Sequence, residues 1–107
     1  MESKKRKRLE AAGWRVGNAA EFLGLTAAEA ALVEMRIALS QSLRERRLAE
    51  GLTQTRLAKQ LGSSQSRVAK LEAGDPSVSL ELLIRALLSV GASRKDVAHA
   101  LGRRRVA

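Results

Sequence analysis

The sequence contains no cysteine, which excludes disulfides, thiolate metal sites and a cysteine nucleophile together. Aromatic side chains are nearly as scarce. Trp14 and Phe22 are the only two, so any core must be assembled from leucine, alanine, valine and isoleucine. No run of alternating β-branched residues appears, and alanine and leucine lead the helix-propensity order, so an all-α chain is expected. Histidine occurs once, as His99, three residues after Asp96. A lone imidazole lacks the partners that catalytic sites require, and a solvated or helix-paired side chain is expected there. Glu10, Glu21, Glu29 and Glu34 do not cluster at metal-ligand spacing, and the glycines at 13 and 17 form no phosphate loop because no Gly-Lys-Ser/Thr follows them. No catalysis, cofactor or metal is therefore expected. No apolar stretch approaches the roughly 20 residues that a membrane span needs. The N-terminal basic run is followed by no apolar signal segment, so the expected location is the cytoplasm.

Acidic residues are also in the minority. Twenty Lys+Arg face 11 Asp+Glu, giving a formal charge of +9 and a pI near 11.3, which points to a polyanionic partner, nucleic acid above all. At 107 residues the chain has room for a single small core.

The most informative stretch runs from Thr53 to Ala73. Leu57, Ala58 and Leu61 recur at helical spacing behind Thr53, whose oxygen can accept a free backbone N–H as an N-cap. Gly62 then ends that helix, because glycine enters the left-handed conformation without a steric penalty. A second helix follows at once, capped by Ser63 or Ser64, with Val68 and Leu71 inward and Gly74 as its stop. Ala58 lies where the two helices must cross. The other face of the second helix offers Gln65, Ser66, Arg67 and Lys70, groups able to bond base edges and phosphates. This is a helix-turn-helix with a reading face. Basic residues around it, Arg44 and Arg56, are expected to meet phosphates along with Arg67.

The surrounding chain divides into three parts: a basic arm and helical extension over 1–38, a DNA-binding domain over 39–102, and a basic tail over 103–107. KKRKR near the N-terminus is self-repelling and suits either a solvated tail or a DNA-gripping arm. The glycines at 13 and 17 imply a turn, and Ala19, Ala20, Phe22 and Leu23 a short helix ending at Gly24. Thr26 and Glu29 form a capping box that opens a helix over about 27–50, with Leu32, Met35, Leu39 and Leu43 on one face and Val33 and Ile37 widening it. Pro76 interrupts helix after Gly74, since it lacks a donor and disfavours helix at Asp75. Ser79 caps the next helix, whose stripe is Leu80, Leu83, Ile84, Leu87 and Leu88, with Leu82 beside it as either a core residue or a dimer contact. Ser93 and Asp96 suggest a last capping box, for a helix over about 94–101 burying Val97, Ala98 and Leu101.

From Leu39 to about Gly102 the chain resembles the phage-repressor-like, or XRE, helix-turn-helix family, on the wording GLTQTRLAKQLG followed by SSQSRVAKLEAG. The resemblance implies a lambda-repressor-like five-helix DNA-binding domain, here with a helical N-terminal extension and a long first helix. It makes Gln54 and Ser64 phosphate contacts, places Gln65, Ser66 and Lys70 at base-reading positions, and matches Arg47 and Glu72 to an ion pair within the domain. Ser63 departs from the apolar residue frequent at its turn position. The implied function is a sequence-specific transcriptional regulator, a repressor, binding double-stranded DNA as a homodimer. The stretch AAGWRVGNAAEFLGLTAAEAALVEMRIAL is similar to the extension of HigA-type antitoxins, which implies an alternative: an antitoxin that pairs with a RelE-like toxin and represses its own operon. In that case Trp14, Phe22, Leu23 and Leu25 would supply a docking surface. The rival class is a protein-interaction module that uses the same fold without reading DNA.

Overall fold

The computed structural model describes Gly24 and residues 26–103. The basic arm, the turn and short helix around Trp14 and Phe22, the docking surface expected there, and the basic tail from 104 onward lie outside the described residues.

Among the described residues five helices follow one another: α1 Ala27–Ala49, α2 Gln54–Leu61, α3 Gln65–Ala73, α4 Leu80–Ser89 and α5 Arg94–Gly102. No strand occurs among the described residues, and none of these helices is long and apolar enough to cross a membrane. The described residues are all-α, and their helices fit a five-helix lambda-repressor-like fold. Met35–Arg103 form a compact unit of their own, and the described part of the other unit is Gly24 with the start of α1.

Each helix begins where a hydroxyl residue can cap it. Thr26 and Glu29 exchange hydrogen bonds at 2.8 and 3.1 Å ahead of α1, and Ser93 and Asp96 do the same at 2.8 and 3.0 Å ahead of α5. Asp96 also meets Arg46 of α1 at 3.3 Å, an exposed pair that solvent screens. The Ser93 amide and hydroxyl, more than Arg46, hold the Asp96 carboxyl below the usual range. Between α2 and α3, Gly62 adopts φ 65° and ψ 37°, and its amide and that of Ser63 return to the carbonyls of Lys59 and Ala58. The turn is closed within three residues.

The core is aliphatic. Leu39, Leu43, Leu57, Val68, Leu71 and Leu83 are fully buried, and Ala58, Ala86 and Ala92 let the helices approach one another. Helix α2 packs on α3 and α4, and α4 on α5.

On α1, Leu32 and Val33 are 46% and 39% exposed, and burial sets in only at Ala38 and Leu39. Two expectations about the apolar faces need correction. On α4, Leu88 is 46% exposed while Ala86 takes a core place, because the helix turns its Leu83–Ala86–Leu87 face inward. On α5 the small buried residue is Ala100, one turn after Val97, and Ala98 faces solvent. Leu82 is half-buried against the core.

One buried group is out of keeping with this core. Ser40 is 2% exposed, and its Oγ finds no partner among the described residues. It stands 3.5 Å from where a Cβ on Gly74 would lie, so α1 passes close to the end of α3 here. An unpaired buried hydroxyl costs free energy that a methyl group does not. Ser40→Ala should therefore raise stability by about 1 kcal/mol, read as a higher urea midpoint at unchanged m-value.

Candidate nucleic-acid interface

Helix α3 exists because Ser64 accepts the Arg67 amide at 3.2 Å and Gly74 closes its other end at φ 70°. Val68 and Leu71 anchor it in the core. The period of the helix then leaves Gln65, Ser66, Arg67 and Lys70 exposed. Ser64, Ser66, Arg67 and Lys70 line one polar groove, completed by Ser77 and Val78 from the loop after α3. Arg44 and Arg56 are exposed on α1 and α2 and do not line that groove. The two loop residues carried no functional expectation. The only trace of them in the sequence is the Asp-Pro-Ser turn, in which the Asp75 carboxylate accepts the Ser77 amide at 2.8 Å. That backbone bond is the main reason the Asp75 carboxyl is held below its usual range, with Lys70 and Arg36 adding to it.

Beneath the reading face lies an ion pair. Arg47 Nε meets Glu72 Oε2 at 2.5 Å and its Nη2 donates to Oε1 at 3.0 Å, in the two-pronged geometry that suits guanidinium and carboxylate. The third nitrogen, Nη1, donates to the Leu52 carbonyl at 2.8 Å. Both side chains are enclosed, with 9% and 4% of their surface exposed. The Glu72 hydrogen bonds raise the Arg47 pKa above its ordinary value, against the opposing effect of burial.

From this pair a chain of amides leads outward. Gln54 Nε2 donates to Glu72 Oε1 at 3.1 Å, and Gln65 Nε2 donates to Gln54 Oε1 at 2.7 Å. The order of donors is physically fixed. A carboxylate can only accept, so Gln54 must turn its nitrogen inward and its oxygen outward. Gln65 must then spend one N–H on that oxygen. What remains at the tip of the exposed Gln65 is a carbonyl oxygen and a second N–H. Ser64 and Ser66 add two hydroxyl oxygens 3.2 Å apart at the start of the helix.

No three histidines or carboxylates among the described residues stand together as a metal site would need. The arrangement is one of polar and cationic groups offered from a short helix, held by buried charge. Residues 43–88, from the last third of α1 to the last turn of α4, match the family model described as "Helix-turn-helix". That domain is regulatory and belongs to no catalytic family. No curated protein and no solved structure matches the chain.

Proposed function

We propose, from the premise that residues 43–88 are an XRE-family helix-turn-helix and the chain a DNA-binding regulator, that it is a sequence-specific repressor acting as a homodimer on double-stranded DNA. The observation that carries this reading is the Arg47–Glu72–Gln54–Gln65 relay, which presets an exposed donor and acceptor at the head of α3. Adenine shows an acceptor at N7 and a donor at N6 in the major groove, and the free edge of Gln65 complements both. Ser66 and Lys70 read alongside it. Arg44, Gln54, Arg56, Ser64 and Arg67 hold the backbone. One domain of this size makes few base contacts, and two-fold pairing across a near-palindromic site doubles them. The place of action is the cytoplasm, on nucleoid DNA.

The test separates specificity from affinity. Gln65→Ala and Lys70→Ala lower the preference for the cognate site by about 1–3 kcal/mol and leave random DNA bound nearly as before. Arg44→Ala and Arg56→Ala weaken both alike and reduce the salt slope by about one unit per phosphate contact. Titrations of labelled cognate and random duplexes at several salt concentrations measure both quantities. Equal specificity losses from all four substitutions would refute this division of roles.

A further inference from the structure

Arg36 stands on α1 ahead of the matched segment, and its half-buried guanidinium donates through Nη1 to the carbonyl of Val78, far along the chain. Val78 is 5% exposed, so the loop behind Gly74 is pinned at this point by its own apolar side chain and by Arg36. Inside the loop, Asp75 accepts the Ser77 amide at 2.8 Å and its carbonyl accepts the Val78 amide at 3.2 Å. The same two residues, Ser77 and Val78, close the groove that Arg67 and Lys70 line. Arg36 therefore fixes the loop that forms the wall without lining the groove itself.

We propose that Arg36 is a positioning residue for phosphate binding, which holds the Asp75–Ser79 wall of the groove so that one backbone phosphate seats between that wall and α3. The proposal rests on the DNA-binding reading above. Arg36 itself does not contact the DNA.

The experiment uses the full chain with Arg36→Met and Arg36→Lys. In Arg36→Met, which has no donor for the Val78 carbonyl, affinity for cognate and random duplex falls by the same factor, and the salt slope drops by about 0.9, the value for one phosphate. The loss of affinity between 50 and 200 mM salt thereby becomes about threefold shallower. The ratio of cognate to random binding stays as in the wild type. Arg36→Lys restores the slope, since an ammonium also donates to a carbonyl. Hydrogen exchange of the free protein supplies the second arm: Val78 and its neighbours exchange faster in Arg36→Met and return to wild-type rates in Arg36→Lys. A reduced slope with unchanged exchange would make Arg36 a direct phosphate contact and overturn the positioning role. Unchanged slope and exchange would overturn it outright. A wild-type chain that binds no duplex would instead remove the DNA-binding reading on which the proposal stands.

Discussion

Glu72→Ala lowers stability by about 3–5 kcal/mol, enough to leave a domain of this size largely unfolded at 37 °C. The magnitude comes from what is left behind. With the carboxylate gone, the Arg47 guanidinium stays enclosed with only the Leu52 carbonyl as partner, and its remaining donors face a cavity. Arg47→Ala strands the carboxylate in the same way, with one amide from Gln54 to satisfy it. The intact pair is not itself worth that amount. Desolvation offsets much of the attraction between the charges, so a matched apolar replacement such as Arg47→Met with Glu72→Leu should recover most of the loss. Urea unfolding of the two single variants and the double variant measures the difference. Single variants within about 1 kcal/mol of wild type would mean that water reaches the pair. The double variant has a second use, because it folds without the relay. Gln54 then has no carboxylate to orient it, and preference at the base read by Gln65 should weaken while the helices remain.

Leu83→Ala costs about 2–5 kcal/mol and Leu88→Ala less than about 0.5, although both are leucines on α4. Leu83 is fully buried in the core, so its removal leaves a cavity between helices. Leu88 is 46% exposed and loses little on truncation. Thermal unfolding of the two variants decides the point, and equal losses would show that Leu88 is covered in solution.

The same contrast marks how far the fold could be read from the chain. Ends of helices were legible because their signals are local. Thr26 with Glu29, Thr53, Ser79, Ser93 with Asp96, and the glycines at 62 and 74 each act on residues within a turn of themselves, and the helices start and stop there. Which stretch of a stripe is covered was less legible. Periodicity gives the direction a side chain faces, and coverage depends on what passes over it, so Leu32, Val33 and Leu88 satisfied the pattern and still remain exposed. Ala98 and Ala100 illustrate the finer limit, since two small residues near one helix end cannot be ranked by propensity. At the site, the exposed row Gln65, Ser66, Arg67 and Lys70 follows from the period of α3, and the pairing of Arg47 with Glu72 was accessible only through resemblance. The Gln54 relay and the Arg36–Val78 contact were not legible at all. They join residues 11, 18 and 42 positions apart, and long-range hydrogen bonds leave no periodic trace.

The five helix starts differ in one respect. Helices α1, α4 and α5 each carry a carboxylate in the first turn, Glu29, Glu81 and Asp96, and α2 and α3 carry none. Aligned peptide dipoles leave about half a positive charge at a helix N-terminus, and a first-turn carboxylate there stabilises the helix by about 0.3–1 kcal/mol. The two helices of the turn forgo that gain. Thr53 and Ser64 cap them with neutral oxygens, so the amide-rich ends stay electropositive and open to an outside anion. Engineering for stability would place aspartate or glutamate at positions 54–56 or 65–67, and on this account each gain would be matched by repulsion of the phosphate backbone. On the DNA-binding reading proposed above, the two helices that forgo a first-turn carboxylate are the two that would face the polyanion.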